Sequence, residues 1–476
     1  MCGIACVYSQ NKSIGELLLK MLKILKHRGP NGSGIVVNGK CRYGKLEELN
    51  PISGNLGLGH NRLAITGKGL QPIPNENESL WIAHDGEIYN YGVLREVLRS
   101  KNHTFRTTTD SEVILHAYEE KTLQSLDGDF AFVIVDFDSE RIEAYRDFIG
   151  IRPLFFCEDP KGIQIASERK AFLSSENISR LPPGYRLIVE DGNLSIEKVE
   201  SVEDLITSPV DMNEEKAIIT LLQLIRSALI KRKYPKVGIF FSGGIDSSVI
   251  AKIASEICEE TVLITVGTRD SIDLKRAIDA SRKLRIPLET VVIESPETVI
   301  DYAKKTIRAI DEIDPLKVSI GIPIYIAAEK ARELGIRVVL TGQGADELFG
   351  GYAKYLRVKN PLMEMHNDLK NIHLNNLERD DHCIMASSIE MRSPYLDKAL
   401  VAFAVRLPLK FKIRNGVRKW ILRQVGKRLG LPKEVVLGAK KAIQYGSGVH
   451  KILLKQAKKH KLSLREFLSR SIKAEN

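Results

Sequence analysis

The second residue of the chain, in the opening string "MCGI", carries a group that could act as a nucleophile. Removal of Met1 would leave Cys2 with a thiol and a free α-amine on the same residue. An α-amine has an ordinary pKa near ~8, so a useful fraction of it is neutral at physiological pH. A neutral amine beside a thiol can act as the general base for that thiol. Cys2 is therefore a candidate nucleophile that carries its own base, unless position 2 is simply a small residue without a chemical role.

A second string, "KVGIFFSGGIDSSVIAK", has the composition of a phosphate-binding loop. We expect a strand to end before Ser242, a sharp turn through Gly243 and Gly244, and a helix that begins near Ser247. Glycines let the backbone approach phosphate oxygens, and the amides and hydroxyls of a helix start donate hydrogen bonds to them. The string lacks the lysine of a Walker loop and instead resembles the PP-loop of ATP pyrophosphatases. Asp246 is a candidate Mg²⁺ ligand, because a hard cation needs oxygen donors beside the phosphates.

A third string, "VVLTGQGADELFGGYAKY", follows another expected strand and contains the acidic pair Asp346 and Glu347. Ligands of α/β proteins bind at the carboxyl ends of parallel strands, so Asp346 could reach the same Mg²⁺ as Asp246. The two loops together argue against the simpler interpretation that each is an ordinary glycine turn.

The composition restricts the classes of protein to which this chain could belong. Its 476 residues, 43% hydrophobic and 28% charged, are typical of a globular protein of more than one domain. Six scattered cysteines form no CxxC pair, which argues against a zinc ribbon or a disulfide scaffold. The net charge of +11 comes without a nucleic-acid motif, so we expect no nucleic-acid partner. No apolar run suggests a membrane span or a signal peptide, and we expect a cytoplasmic protein.

The elements that must position these residues differ between the two halves of the chain. Residues 1 to about 195 contain many short apolar or alternating runs and two helical patterns, which favour an αββα sandwich of two stacked sheets. From about residue 214 strands and helices alternate, which predicts a doubly wound parallel sheet followed by a helical C-terminal part. We expect domains at 2–197 and 213–476, joined by a charged stretch of low apolar content.

With these motifs in order, the chain resembles the glutamine-hydrolysing asparagine synthetase family. That family joins a class II glutamine amidotransferase domain of the Ntn-hydrolase fold to a PP-loop ATP pyrophosphatase domain. The resemblance covers nearly the whole chain and rests on the strings "MCGI", "HRGPNGSG", "GHNRLAI", "DGEIYN", "TDSE", "DGDFAF", "RDFIGIRPLF", "ASERKA", "SGGIDSS", "LTGQGADELFGGY" and "IEMRSPYLD".

The resemblance implies roles for residues of the first half. Cys2 would attack the side-chain amide of glutamine, form a γ-glutamyl thioester and release ammonia. The Gly86 N–H would donate to the oxyanion, together with the residue at position 85. The expected glutamine-binding residues are Arg62 for the α-carboxylate, Asp110 for the ammonium group, and Ile65, Gly86 and Glu87.

For the second half, the resemblance implies that ATP and Mg²⁺ activate aspartate as β-aspartyl-AMP, which ammonia converts to asparagine. Asp246 and Asp346 would bind the metal ion, and Gln343 would act at the adenylation step. A lysine of "GAKKAIQYGSG" would stabilise the departing phosphates, with Lys440 preferred over Lys441. The expected ATP-binding residues are Phe241, Ser242, Gly243, Gly244, Asp246, Ser247, Ser248, Val266, Thr341 and Gly342.

Two positions depart from the family pattern. The family usually has asparagine where this chain has Asp85, and an ionised carboxylate cannot donate a hydrogen bond to an oxyanion. Asp85 could donate only if burial keeps it protonated. Otherwise Gly86 acts alone, or free ammonia is the nitrogen source. The family more often has glutamate at position 343, where Gln343 can neither take a proton nor carry a charge.

Three classes of function follow from these observations. The first is a glutamine-dependent asparagine synthetase that uses glutamine, aspartate and ATP. The second is a related ATP-dependent ligase for another carboxylic acid, or one that prefers free ammonia, and Asp85 and Gln343 favour it. The third is a non-catalytic relative, which the presence of Cys2, Arg62 and Asp246 argues against. A homodimer is compatible with the resemblance.

Overall fold

The computed structural model describes residues 2–10, 13–160, 162–173, 177–438 and 446–473. The chain divides into two compact units, Met1–Val202 and Glu203–Asn476. This division falls inside the stretch between the two expected domains, 2–197 and 213–476. No helix in the described ranges is both long and apolar enough to cross a bilayer.

The first unit contains two antiparallel sheets. In chain order its strands are β1 Gly3–Tyr8, β2 Ser33–Val37, β3 Lys40–Gly44, β4 Leu56–Asn61, β5 Ile73–Pro74, β6 Leu80–Ile88, β7 Gly128–Asp136, β8 Arg141–Arg146, β9 Phe155–Asp159, β10 Gly162–Ala166, β11 Ser179–Arg180, β12 Tyr185–Glu190 and β13 Asn193–Lys198. The seven-stranded sheet has the order β11-β9-β10-β1-β4-β2-β3, and the six-stranded sheet has the order β13-β12-β8-β7-β6-β5.

Strand β1 shows why the two sheets stack. Side chains alternate between the faces of a strand, so Ile4, Cys6 and Tyr8 enter the core between the sheets. Ala5 and Val7 face the opposite way and pack under helix α1, Gly15–Ile24. Helices α2, Tyr91–Ser100, and α3, Glu112–Glu119, cover the outer face of the six-stranded sheet. The four layers confirm the expected αββα sandwich.

The second unit is built on a parallel sheet with the order β16-β15-β14-β17-β18. Its strands are β14 Lys236–Phe240, β15 Glu260–Thr268, β16 Leu288–Ile293, β17 Val338–Leu340 and β18 Glu390–Arg392, and a separate hairpin consists of β19 Ile413–Arg414 and β20 Val417–Arg418. The chain leaves β14 toward β15 on one side and returns at β17 on the other. The strand order therefore reverses at β14, which is where open α/β sheets bind ligands.

Helices surround this sheet and form most of the C-terminal part, as expected. In chain order they are α4 Val202–Leu205, α5 Glu214–Lys231, α6 Ile245–Ile257, α7 Ile272–Leu284, α8 Pro296–Ile310, α9 Pro315–Glu333, α10 Ala345–Phe349, α11 Pro361–Lys370, α12 Glu378–Met385, α13 Lys398–Val405, α14 Leu409–Lys412, α15 Trp420–Arg428, α16 Lys433–Leu437, α17 Val449–Lys459 and α18 Leu464–Lys473. Side-chain oxygens cap several of them, for example Ser271 at α7 and Asp314 at α9.

Candidate active sites

Cys2 lies at the start of β1, at the edge of the core between the two sheets. Only 7% of its surface is exposed. The next residue, Gly3, pairs with Asn61, so Cys2 is brought close to Arg62 just beyond the end of β4. Its backbone N donates a hydrogen bond of 2.5 Å to Oδ1 of Asp85, which belongs to β6 of the other sheet. The structure thus brings together two residues that lie 83 positions apart.

Arg28 connects Cys2 and Asp85 to a second acidic residue, Glu168. Its Nε donates to the carbonyl oxygen of Cys2 at 2.7 Å, its Nη2 to Asp85 at 2.8 Å and its Nη1 to Glu168 at 2.8 Å. The side chains of Arg28, Asp85 and Glu168 are at most 1% exposed. Lys170, which is partly exposed, also pairs with Glu168, so positive and negative charges alternate around Cys2.

This ion pair decides the protonation state of Asp85. Although burial acts to raise it, the Arg28 guanidinium holds the pKa of the Asp85 carboxyl below its ordinary value. The Arg28 contact therefore favours the alternative in which Asp85 is ionised and accepts hydrogen bonds over the one in which burial keeps it protonated. Burial raises the pKa of the Cys2 thiol to about 11, and the Asp85 charge adds to the rise. The thiol is thus neutral near pH 7 and needs a base before it can attack.

Gly86 follows Asp85 on β6 and has a φ of +143°, which an L-residue with a side chain rarely adopts. A Cβ at this position would lie 2.1 Å from the carbonyl oxygen of Asp129 on the paired strand β7. Glycine is therefore required here by both conformation and space. The absence of a side chain at Gly86 leaves its backbone N–H uncovered next in sequence to Asp85.

The segment after β4 brings three of the expected glutamine-binding residues together. The Nη2 atom of Arg62 donates to the carbonyl oxygens of Thr66 at 3.2 Å and Gly67 at 2.7 Å. The Thr66 hydroxyl donates to Glu87, which is buried on β6. Ile65 is half-buried in the same turn. The partly exposed guanidinium of Arg62 and the buried carboxylate of Glu87 are thus linked through Thr66, to which both are hydrogen-bonded.

Asp110 lies on the other side of β6. Its Oδ2 accepts a hydrogen bond of 2.8 Å from the Ile88 N–H and lies 4.0 Å from Nδ1 of His84. Burial lowers the pKa of His84 to about 3 and that of His60 to about 4, so both rings are neutral. The neutral ring of His84 therefore places no positive charge beside the Asp110 carboxyl group.

The phosphate-binding loop follows β14, as expected. Gly243 has a φ of +66°, and a Cβ there would lie 2.7 Å from the carbonyl oxygen of Arg276. Gly244 caps the N-terminus of α6, which contains Asp246, Ser247 and Ser248. The Ser248 hydroxyl is buried and makes no hydrogen bond within the described residues. Ser242 is half-buried at the turn.

The remaining expected ATP-binding residues lie around the same strand ends. The Phe241 N–H donates to Ile264 of β15 at 2.8 Å, and Val266 lies two residues further along that strand. The Thr341 N–H donates to Arg392 at 3.0 Å. A Cβ on Gly342 would lie 3.3 Å from Cβ of Asp246, so the two glycine-rich loops are in contact.

The two expected metal ligands meet at a lysine that the sequence did not indicate. Nζ of Lys419 lies 2.7 and 2.6 Å from the two carboxylate oxygens of Asp246 and 2.6 Å from Oδ1 of Asp346. Lys419 is 3% exposed and precedes α15 with a φ of +56°. Two carboxylates from neighbouring loops, both within reach of one ammonium group, form a donor set that suits a hard divalent cation.

Next to Asp346, Glu347 turns away from the lysine. Tyr352 and Asn376 donate to its Oε1 at 2.6 and 3.0 Å. Burial, together with the adjacent Asp346 charge, raises the pKa of Glu347 to about 7. Of the two acidic residues, only Asp346 shares Lys419 with Asp246 of the first loop. Glu347 is hydrogen-bonded to Tyr352 and Asn376 instead.

Gln343 binds a carboxylate of its own. Its amide nitrogen donates to Asp380, whose other oxygen accepts hydrogen bonds from Arg379 at 2.8 and 2.6 Å. Burial raises the pKa of Asp380, although Arg379 opposes the rise. A carboxylate thus lies beside position 343 even though the residue there is glutamine. The expected Lys440 and its alternative Lys441 lie outside the described residues.

Comparison with known sequences covers both units. Residues 1–182 match the family described as a glutamine amidotransferase domain, and residues 221–363 and 359–473 match the asparagine synthase family. The chain belongs to the asparagine synthase family. The resemblance inferred from the motifs is therefore confirmed, and so is the union of an amidotransferase unit with an asparagine synthase unit.

Relatives in this asparagine synthase family match over nearly the whole chain. A putative glutamine-hydrolysing asparagine synthetase of Methanocaldococcus jannaschii is 39% identical, and the match covers 98% of each chain. A probable asparagine synthetase of Dictyostelium discoideum is 30% identical over 99% of this chain and 89% of its own. The asparagine synthetase of Sandersonia aurantiaca is 31% identical over 94% of this chain and 87% of its own.

Three residues of these sites were missed by the motifs. Arg28 lies inside the quoted string "HRGPNGSG", and Glu168 lies inside "ASERKA", so their strings were recognised without a role for these charges. Lys419 lies in "VRKWILRQ", at the start of a helical pattern where a lysine usually faces solvent. Only the fold shows that each of the three is buried against an opposite charge.

Proposed function

We propose that the protein is a glutamine-dependent asparagine synthetase. The observation that carries this proposal is the presence of two candidate sites in one chain of this family. One has Cys2 held against Asp85, and the other has Asp246 and Asp346 held together where the parallel sheet reverses its strand order. A buried thiol that needs a base and a pair of carboxylates beside a phosphate loop suit glutamine hydrolysis and ATP-dependent activation, respectively.

In the first site, Cys2 would attack the glutamine amide once Met1 has been removed. The α-amine would then occupy the position of the Cys2 nitrogen, 2.5 Å from Asp85, and take the thiol proton. Asp85 would raise the pKa of this amine by stabilising its protonated form. Arg62 would bind the α-carboxylate of glutamine and Asp110 its ammonium group.

The glutaminase oxyanion would be stabilised by the Gly86 N–H rather than by position 85. Asp85 is ionised and already accepts from Arg28 and from Cys2, so it has no proton to donate. The adjacent Glu87 and Ile65 would complete the pocket for the glutamine side chain. Hydrolysis of the thioester would then release glutamate and regenerate the thiol.

In the second site, the loop from Ser242 to Ser248 would bind the phosphates of ATP. Asp246 and Asp346 would hold Mg²⁺, which supplies positive charge next to the phosphates. Lys419 would offset one of the two carboxylate charges before that ion binds and would remain close to the phosphates afterwards. The aspartate side-chain carboxylate would attack the α-phosphate and expel pyrophosphate, and ammonia would then displace AMP from β-aspartyl-AMP to give asparagine. A free thiol nucleophile suits a reducing compartment such as the cytoplasm, where we propose that the protein works.

One observation favours the second candidate function, an ATP-dependent ligase for a different acid. Asp380 is held beside Gln343 by the buried Arg379, so the charge pattern around position 343 differs from that of a single glutamate. An acceptor pocket with a different charge pattern would select a different carboxylic acid. The ionised Asp85 likewise favours a version of this enzyme that prefers free ammonia.

An assay of the full chain separates these functions. The protein is incubated with ATP, Mg²⁺ and aspartate, together with either glutamine or ammonium, and asparagine, AMP and pyrophosphate are measured. We expect asparagine with both nitrogen donors and equal amounts of AMP and pyrophosphate. Asparagine from ammonium alone would identify the ammonia-preferring enzyme. Pyrophosphate release only with another acid in place of aspartate would identify the second ligase, and no turnover with any acid would contradict both.

A further inference from the structure

Four side chains that could bind a metal ion lie together on the first unit, outside both candidate active sites. Glu76 follows β5, His103 lies between α2 and α3, and His116 and Glu119 are one helical turn apart on α3. One ligand atom from each lies within 4.8 Å of the other three. We call these four residues the His–Glu cluster.

The distances within the His–Glu cluster suit tetrahedral coordination. Nδ1 of His116 lies 2.9 Å from Glu119 Oε2 and 3.5 Å from Glu76 Oε2, and Nδ1 of His103 lies 3.1 Å from Glu76 Oε1 and 4.0 Å from Glu119 Oε2. Zinc bonds of about 2.0–2.2 Å at tetrahedral angles separate neighbouring ligand atoms by about 3.3–3.5 Å. The four separations lie on both sides of this value, so small side-chain rotations would suffice.

The ring of His103 is oriented by a fifth residue. Its Nε2 lies 3.3 Å from Oε1 of Glu120, and Lys101 pairs with the other oxygen of that carboxylate. A carboxylate at Nε2 favours the tautomer with its proton on Nε2, which leaves the Nδ1 lone pair directed into the His–Glu cluster. Metal-binding histidines in proteins are commonly held in this way.

His116 is fully buried and directs its polar contacts into the same space. Its Nε2 has no hydrogen-bond partner within the described residues, whereas Nδ1 faces both carboxylates. The ring packs edge-on against Phe105, with centroids 4.9 Å apart, and lies 4.5 Å from the ring of His103. This packing fixes the ligand atom on a rigid helix.

The charges of the His–Glu cluster are not balanced by a basic side chain. In the part of the chain that the structure describes, neither Glu76 nor Glu119 pairs with a lysine or an arginine. Asn75 donates to Glu119 at 2.9 Å, and the Thr104 N–H donates to Glu76 at 3.0 Å. With neutral imidazoles, two carboxylates give a net charge of −2, which one divalent cation would neutralise.

We propose that the His–Glu cluster binds one divalent transition-metal ion of the zinc class. Two imidazoles and two carboxylates make a complete set of four protein ligands, which is typical of a structural rather than a catalytic zinc site. The ion would hold the segment between α2 and α3 against α3. That segment contains Asp110, so metal binding would fix the approach to the expected glutamine site.

The test is a zinc titration of the full chain after treatment with a chelator. Isothermal titration calorimetry is carried out on the unmodified protein and on Cys2→Ala, so that binding to the thiol is separated from binding to the cluster. We expect one zinc ion per chain in the Cys2→Ala protein. His103→Asn and Glu119→Gln should each weaken zinc binding by roughly tenfold or more. His460→Asn, which changes an exposed histidine of the other unit, should bind zinc unchanged.

Two further readouts keep the proposal independent of activity. Zinc should raise the unfolding temperature of the unmodified protein, and His103→Asn and Glu119→Gln should lose that shift. Cobalt in place of zinc should give the visible spectrum of a four-coordinate ion without a thiolate charge-transfer band. Unchanged zinc affinity in folded His103→Asn and Glu119→Gln, or loss of the bound zinc in Cys2→Ala, would overturn the proposal. Glu119→Gln is nearly isosteric and guards against a variant that simply fails to fold.

Discussion

Both candidate active sites hold an aspartate against a buried cation, but the two cations differ. In the first unit, Asp85 faces the guanidinium of Arg28, which is also bonded to Glu168 and to the Cys2 carbonyl oxygen. In the second unit, Asp246 shares the ammonium of Lys419 with Asp346, whose side chain is 21% exposed. Arg28 has three buried partners, two carboxylates and a carbonyl oxygen, whereas Lys419 lies between one buried carboxylate and one that reaches solvent.

This difference indicates two ways of preparing an aspartate for chemistry. A guanidinium presents donors in a rigid plane and stays charged, so Arg28 stabilises the ionised form of Asp85. An ammonium group is a point charge on a flexible chain, and a divalent ion could take over its carboxylates. In the proposed function, Asp85 would be a fixed charge beside the nucleophile Cys2, whereas Asp246 and Asp346 would exchange Lys419 for the metal ion of an incoming metal–nucleotide complex.

The largest effect is expected when Asp246, one of the two carboxylates that face Lys419, is replaced. Asp246→Asn should abolish asparagine formation with either nitrogen donor, with a loss of at least roughly 10²–10³-fold, because Mg²⁺ beside the phosphates would lose one of its two proposed carboxylate ligands. Glutamine hydrolysis should remain, since Cys2 lies in the other unit. Asparagine and ammonia release are measured separately, and Asp301→Asn, at an exposed aspartate of α8, is the control. Undiminished AMP release by Asp246→Asn would show that the metal binds elsewhere.

The second test replaces Cys2, the proposed nucleophile whose backbone nitrogen is bonded to Asp85. Cys2→Ala should eliminate glutamine hydrolysis and spare ammonia-dependent synthesis, because the phosphate-binding loop is untouched. Mass spectrometry of the intact N-terminus should show that Met1 has been removed, as a free amine on Cys2 requires. Cys41→Ala, at an exposed cysteine of the same unit, should change neither activity. A folded Cys2→Ala protein without ammonia-dependent synthesis would contradict the division of labour between the units.

A third buried cation sharpens the comparison, because it has no acidic partner. Lys412 is fully buried, and its Nζ makes no hydrogen bond within the described ranges. Burial lowers the pKa of Lys412 to about 7, below its value in the unfolded chain. The unfolded state therefore binds more protons between pH 7 and about pH 10, so stability should rise with pH in that window.

Lys412→Met should remove this contribution. We expect the variant to be more stable than the unmodified protein at pH 7, by on the order of 3 kcal/mol, and the difference to shrink toward pH 10. Urea unfolding at both pH values measures the difference in the free energy of unfolding. Lys455→Met, at an exposed lysine, is the control for the effect of a Lys-to-Met change without burial. A gain that is the same at pH 7 and pH 10 would mean that Lys412 is not neutral in the folded protein.

The smallest expected effect comes from the fixed charge itself. Asp85→Asn should slow glutamine hydrolysis by roughly 10- to 100-fold, the kinetic equivalent of a charged hydrogen bond worth about 1.5–3 kcal/mol. The reason is that the Cys2 amine loses the carboxylate that stabilises its protonated form and fixes its position. The same loss lowers the pKa of the amine, so the acidic limb of the pH–rate profile should move to lower pH than in the unmodified protein.

Ammonia release from glutamine across pH measures both effects, and Asp138→Asn, at an exposed aspartate, is the control. The folded-state pKa of Asp85 is lowered, so the stability that Asp85 supplies is present above about pH 4 and is lost as the pH falls through the folded value. Asp85→Asn should therefore lose less stability on acidification. A faster Asp85→Asn enzyme would instead mean that asparagine at this position restores an oxyanion donor.

The layers of both units could be predicted because each depends on local periodicity. Strand β1 alternates between two cores along five consecutive buried residues, and a run such as "KVGIFF" is apolar on both faces. The need for glycine at positions 243 and 86 could also be predicted, because the backbone of another segment comes too close there for any side chain. These properties are encoded within a few positions of sequence, so pattern alone indicates them.

The charge partners could not be predicted, because they join distant positions. Arg28 and Asp85 lie 57 residues apart, and Lys419 and Asp246 lie 173 apart. From sequence alone, a buried Asp85 could be protonated or ionised, and the two outcomes depend on whether a cation is folded against it. Gln343 is a similar case, since its importance depends on Asp380, which no motif connects to it.

Arg28 also carries a consequence for how the first unit assembles. Its guanidinium is bonded to Cys2 beside β1 and Glu168 after β10, both in one sheet, and to Asp85 of the other sheet. Until the sheets dock, this arginine and its two carboxylates remain in water, where they need not pair. Glutaminase activity recovered during refolding should therefore appear only when the two sheets dock, after secondary structure has formed. The time at which glutamine turnover begins would thus report when the two sheets come together.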